Sequence, residues 1–299
     1  MYMNMSHSLK QTPHSPETVS TDVYHEFRKG TMELFALDDE AFEQRLPEFI
    51  QSRVAELESS GPQGIVRDTS PSFDSYIHAE TALHPAEDVL GILPFNIDDT
   101  TPYSLALRAS RMWYKHLSAQ GLHPEKALLN AAIKGSFAGQ AEYFGSIYGD
   151  TMKRLDRLDE DNNSDDRVVS VAKIGDAAMC MERAAVTHNA LLVMGVPNKY
   201  CVGKLSCSYD GRVKTEGHAY LEVIGTKGAR LIYDPTHPKI EKNGEKEFAR
   251  PGVFPVDTDY QGADTIHMTT NVDGVVVHIG DYIYTRNTPK DMLGTLALQ

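Results

Sequence analysis

Cysteine is scarce in this chain: 299 residues contain three, Cys180, Cys201 and Cys207. An odd number, in a chain long enough to bury a substantial core without cross-links, excludes a disulfide scaffold. Cys201 and Cys207 also lack Cys or His partners at zinc spacing, so packing or incidental exposure is expected for both. Long hydrophobic runs are missing as well. No window approaches the ~18 consecutive apolar residues of a membrane helix, and the N-terminus lacks the apolar stretch of a secretory signal. No membrane partner is expected, and the cytoplasm is the default address, with non-classical export left open. Positive charge is in short supply: 29 Lys and Arg stand against 42 Asp and Glu, for a net charge of −13. That balance opposes phosphate backbones and argues against a nucleic-acid reader. There is no HExxH, no phosphate-cradling glycine loop and no dinucleotide fingerprint, so neither a metal nor another cofactor is expected.

What is present reads as an ordinary globular chain, 41% apolar and 24% charged. A disordered arm is expected over residues 1–35, its first twenty rich in Ser, Thr, His and Pro. A helical region should follow over 36–135, and a mixed domain over 136–299. From Asp38 to Ser59, the positions Phe42, Leu46, Ile50, Val54 and Leu57 recur at helical steps and make one apolar face. A second helix fits Ser104 to Ala119, with Leu107, Met112, Trp113 and Leu117 on a stripe and Gly121 as its stop. A short helix should follow Pro124, and another helical pattern runs from Phe137 to Leu158. The acidic run Asp159 to Asp166 spaces its carboxylates like a calcium loop. However, Ser164 and Ser170 stand where the turn glycine and closing glutamate belong, so a solvated loop is expected.

Beyond this point the pattern changes. Residues 180–194 are helical, whereas from Asn198 onward short strands alternate with the turns Asp210-Gly211, Gly225 to Gly228 and Asp273-Gly274. A helix followed by an antiparallel sheet is an α+β order.

Three segments carry chemistry. Cys180 heads an Ala/Leu/Met-rich helix, where the free N–H groups of a first turn favour a thiolate. His218 lies in the strand pattern His-Ala-Tyr-Leu-Glu-Val. Asp234 ends the next strand, just before Pro235, where a carboxylate can meet the far nitrogen of the imidazole. Each residue alone has an ordinary structural explanation; together they occur in the order Cys, His, Asp on a helix start, a strand and the next strand end. His188, two turns along the same helix, reads as a packed or hydrogen-bonded residue. His237 is a rival base that would need the chain to turn sharply back.

The run Cys180-Met-Glu-Arg-Ala-Ala, then Gly195-Val196-Pro197, Gly217-His218-Ala219-Tyr220-Leu-Glu222-Val223 and Tyr233-Asp234-Pro235-Thr236, resembles the core of the transglutaminase-like superfamily of papain-fold cysteine enzymes. The resemblance covers about residues 170–240. It implies a papain-like core in which the cysteine heads a buried central helix packed on an antiparallel sheet, and a catalytic triad of Cys180, His218 and Asp234. Family members often carry Gly-x-Cys ahead of the helix, where this chain has Ala178-Met179-Cys180, and Trp where Tyr220 stands. The implied activity is acyl transfer on an amide of a protein or peptide substrate through a thioester. Water as acceptor makes a protease or deamidase; an amine makes a transglutaminase. Three alternatives stay open at this level: an arylamine N-acetyltransferase-like enzyme, a deamidase resembling bacterial effectors, and an inactive papain-like interaction module. No second oxyanion donor is legible beside the backbone N–H of Cys180.

Overall fold

The computed structural model describes residues 21–59, 95–96, 100–146, 149, 153, 169–209, 212–224, 230–236, 239–242, 245–248, 252–255, 263–272 and 275–286. The first twenty residues, the acidic run at 159–166 and His237 lie outside them.

Helix formation begins earlier than the sequence suggests. Thr21–Ala36 forms α1, which corrects the expectation of a disordered arm to residue 35. The reason is burial: Phe27, Leu34 and Phe35 enter the core, each at most 3% exposed, and each such side chain contributes about 1.5–3 kcal/mol. Asp39–Ser59 forms α2, and all five positions expected on its apolar face are buried. Thr101–Ala119 forms α3. Its buried face is Tyr103, Ala106, Leu107, Ser110, Arg111 and Leu117, while Met112 and Trp113, expected on the stripe, are exposed. The Arg111 guanidinium holds the α1–α2 junction. It donates to the carbonyls of Phe35 and Leu37 and to Asp39 Oδ1 and lies over the Phe42 ring.

Pro124–Phe144 forms one continuous helix, α4, which joins the expected short helix to the first part of the pattern from Phe137; most of that pattern beyond residue 146 lies outside the described residues. The helix therefore runs unbroken through the expected 135/136 boundary. Gly135 and Gly139 do not interrupt it. They face α3 so closely that a Cβ on Gly135 would lie 2.0 Å from Ser110 Oγ, and one on Gly139 2.5 Å from the Ala106 nitrogen. Close approach of two backbones, not chain reversal, accounts for these glycines.

Val169–Ser170 (β2) pairs in parallel with Phe95–Asn96 (β1). The short helix Val171–Ile174 (α5) and a 3₁₀ turn, Gly175–Ala177, then lead into Cys180–Val193, α6. Every residue of α6 is buried; it packs on α2, α3 and α4 on one side and on the sheet on the other. Its C-terminus closes through Gly195 N–H to Leu192 O and Val196 N–H to Leu191 O, both 2.9 Å, a Schellman arrangement with Gly195 at φ 77°. A side chain at Gly195 would also strike the Arg28 backbone.

The sheet follows: Asn198–Tyr209 (β3), Arg212–Ile224 (β4), Arg230–Asp234 (β5), Gly252–Pro255 (β8), Ala263–Val272 (β9) and Val275–Arg286 (β10), with Lys239–Lys242 (β6) and Glu245–Phe248 (β7) as a separate hairpin. The six strands lie in the order β8-β5-β4-β3-β10-β9, all pairs antiparallel. As Asp210-Gly211 and Asp273-Gly274 predict, the hairpin ladders reach Tyr209↔Arg212 and Val272↔Val275. The architecture is α+β, a helical layer and an antiparallel sheet sharing one core with α6 between them.

The two faces of the sheet differ in content. Tyr200, Ala219, Leu221, Val223 and Tyr233 join the main core with the helices. Residues alternating with them, Cys201, Leu205, Tyr220, Ile232 and Tyr284, form a second cluster that Phe254 and Cys207 flank. Strands spaced about 4.8 Å apart would put β8 and β10, four intervals apart, about 19 Å from each other on a flat sheet. Yet the rings of Phe254 and Tyr284 have centroids 6.1 Å apart. The sheet is therefore strongly curled, and the second cluster fills the inside of the curl.

Candidate active site

His218 on β4 and Asp234 at the end of β5 fall in phase with Tyr220 and Ile232, so both point into the curl. His218 Nε2 and Asp234 Oδ2 are 2.7 Å apart, with both side chains sealed from solvent. The carboxylate is held from every side. Its Oδ1 accepts from the Thr236 N–H at 2.8 Å and the Thr236 hydroxyl at 2.9 Å, and its Oδ2 also accepts from the Tyr284 hydroxyl at 2.8 Å. Four donors on one buried carboxylate are the condition under which a charge is tolerated away from water. A carboxylate only accepts, so His218 must donate through Nε2, and this leaves Nδ1 for the thiol.

Cys180, in the first turn of α6, faces the His218 ring and the backbone amide of Ala219. Burial on its own pushes the thiol up. The hydrogen bond and charge of His218, aided by the Ala219 amide, outweigh this and hold the thiol below its usual range, while Glu182 works in the opposite direction. For His218, burial opposes the cation, but the charge and hydrogen bond of Asp234, together with Cys180, raise it to about 10. Both directions favour the thiolate–imidazolium form of the pair. Tyr220 stacks parallel to the imidazole and Tyr284 lies tilted against it, with centroids 6.4 Å and 6.1 Å from the ring. Both limit the orientations that the ring can take.

The helix start is capped from within: the Met179 N–H donates to Glu182 Oε2 at 3.0 Å, which satisfies one of the amides that a helix N-terminus leaves open. That amide is thereby withdrawn from any oxyanion site.

Of the residues singled out in the sequence, the structure brings Cys180, His218 and Asp234 together. It puts His188 elsewhere: His188 Nδ1 meets Asn198 Oδ1 at 2.7 Å, and the Asn198 amide donates to the carbonyls of His188 and Val196. That is a helix-to-strand tie within the core. Cys201 is buried in the second cluster and Cys207 borders it, and neither forms a disulfide. Thr236 had a local signal, since a Thr two residues after an Asp is the pattern of a side chain bonding its own turn. Tyr284 had none, because it lies fifty residues beyond Asp234 and reaches it only through the curl. Among the described residues, no group of three or more His, Cys, Asp or Glu side chains is placed to hold a metal ion, and no helix is long and apolar enough to cross a membrane.

No protein-family model, curated protein or solved structure matches the chain.

Proposed function

We propose that this protein is a cysteine-dependent acyl-transfer enzyme of the transglutaminase-like, papain-fold kind, acting on an amide of a protein or peptide. The observation that carries the reading is the single connected series from a thiol in the first turn of α6 through an imidazole to a carboxylate with four donors. In this mechanism the Cys180 thiolate attacks the amide carbon, and the tetrahedral intermediate places its oxyanion near the backbone N–H of Cys180. The His218 imidazolium gives its proton to the departing amine, leaving a thioester on Cys180. Water or a second amine, deprotonated by the now neutral His218, then releases the acyl group. Asp234 keeps the ring in the tautomer and orientation that each proton transfer needs. A cytoplasmic setting belongs to the same proposal, since all three thiols stand unbridged and a thiolate nucleophile is maintained in a reducing compartment.

Site-resolved labelling with iodoacetamide tests the thiolate. Rapid alkylation of Cys180 at pH 6, abolished by His218→Ala, is expected; ordinary thiol behaviour, or a rate indifferent to His218, overturns the proposal. Incubation with casein and a labelled primary amine then sorts the acceptors. Amine incorporation marks a transglutaminase, a gain of about one dalton per glutamine a deamidase, and chain cleavage a protease. Turnover of acetyl-coenzyme A would instead place the enzyme with the arylamine acetyltransferases.

A further inference from the structure

The thiol and its two partners come from different parts of the fold: the thiol from the start of α6, and the histidine and aspartate from the sheet. A buried bridge connects these parts from a third element, α4. Arg183, one turn into α6 and fully buried, donates from Nε to Ala178 O at 3.0 Å, just ahead of Met179-Cys180. Its Nη1 donates to Gln140 Oε1 at 2.7 Å and to Gly145 O at 2.9 Å, and its Nη2 donates to Phe144 O at 3.4 Å. Gln140, also fully buried, uses the other end of its amide: Nε2 donates to Pro235 O at 3.4 Å. Pro235 is the peptide between Asp234 and the Thr236 that clamps it. Gln140 thus touches both the segment that presents the thiol and the turn that presents the carboxylate.

Stability alone explains part of this arrangement. The guanidinium sits on the last carbonyls of α4, at the favourable end of that helix dipole. It also lies near the positive end of α6, where a cation is disfavoured, and it is out of water. The Gln140-to-Pro235 contact adds nothing to that cap, because it points away from Arg183 toward the aspartate turn.

We propose that Gln140 is a positioning residue, which through Arg183 on one side and Pro235 on the other sets the distance between the Cys180 thiol and the His218–Asp234 pair. This rests on the cysteine-enzyme reading above. Loss of the bridge lets the aspartate turn relax, so His218 holds its proton less well and the thiol rises toward its ordinary range.

The test is the pH dependence of Cys180 alkylation in the full chain, measured with iodoacetamide and read by mass at Cys180, alongside the melting temperature. Gln140→Met removes both contacts without adding charge. Gln140→Glu keeps an acceptor for Arg183 but cannot donate to Pro235 O. The expected result is an acid limb moved up by about one pH unit in both, a rate about tenfold lower at a fixed pH on that limb, and a melting temperature of Gln140→Glu close to that of the native chain. Should Gln140→Met not fold, the shift must appear in Gln140→Glu. A native limb in the folded variants, with only the melting temperature changed, overturns the proposal and leaves Gln140 a structural cap. A shift in Gln140→Met but not in Gln140→Glu also overturns it, since the Arg183 contact alone would then matter. Failure of the underlying reading is distinct: the native chain itself would lack fast, His218-dependent alkylation at pH 6.

Discussion

His218 Nε2 stands 2.7 Å from Asp234 Oδ2, inside a curled sheet that seals both side chains from water. The ring is thereby oriented by an acceptor that cannot turn away, because the Thr236 N–H, the Thr236 hydroxyl and the Tyr284 hydroxyl hold the carboxylate in place. Asp234→Asn keeps the shape and removes the charge. Amide turnover, or thiol alkylation at pH 6 where turnover is not yet measurable, should fall about a hundredfold or more, the usual scale for losing an effective general base. A variant with native rates would show that the carboxylate has no part in the chemistry.

The pH dependence follows from two opposite shifts. Cys180 is lowered, so its thiolate persists on the acid side of the usual thiol range. His218 is raised to about 10, so the imidazolium survives well above its ordinary value of 6.5. Alkylation of Cys180 should therefore change little from about pH 6 to about pH 9. It should change again only as His218 loses its proton near 10, because the thiolate then stands without its cation. In His218→Ala the plateau should vanish and the rate should rise along an ordinary thiol titration.

Tyr284→Phe deletes one donor to a buried carboxylate and no packing volume. A hydrogen bond to a charged group is worth about 1.5–3 kcal/mol, so urea unfolding should show a stability loss of that order. Alkylation at pH 6 should slow in the same variant, because Asp234 orients the ring less firmly. An unchanged midpoint would mean that the hydroxyl contributes nothing there.

The two histidines of the core should separate cleanly. His188→Ala breaks the tie to Asn198 and leaves buried polar groups of Asn198 without that partner, at a cost of about 1–3 kcal/mol. The pH 6 reactivity of Cys180 should be retained in this variant. If it is lost along with stability, the two histidines are not independent in the way their separate partners imply.

Gly139→Ala sets helix propensity against steric room. Propensity favours alanine by about 1 kcal/mol, but the new Cβ would lie 2.5 Å from the Ala106 nitrogen and 2.7 Å from its Cα. Backbone cannot move aside as a flexible side chain can, so the steric effect should win and the variant should be destabilised by about 1–3 kcal/mol in chemical denaturation. A more stable variant would mean that α3 and α4 separate without penalty.

The sequence carried the local elements well. The apolar face of α2, the two-residue links Asp210-Gly211 and Asp273-Gly274, and the placing of Cys180 at a helix start, His218 in a strand and Asp234 at a strand end can each be read from residues a few positions apart. They depend on periodicity, turn chemistry and strand adjacency, which are short-range. α1 was misread because its burial depends on helices and strands far along the chain. Met112 and Trp113 were misread because apolar character alone does not decide which face of α3 meets a neighbour. Gly135 and Gly139 have no local explanation within α4, and only the approach of α3 gives them their reason.

By itself, then, the sequence determined that Cys180 heads a helix running to about residue 194 and that His218 and Asp234 lie on neighbouring strands, since backbone geometry ties each to its own neighbours. The tertiary structure alone decided that Tyr284 reaches Asp234 across the curl, that Gln140 and Arg183 join the halves of the site, and that His188 is occupied by Asn198. Those contacts depend on how a sheet bends and how closely helices approach, and both are set by packing summed over the whole core.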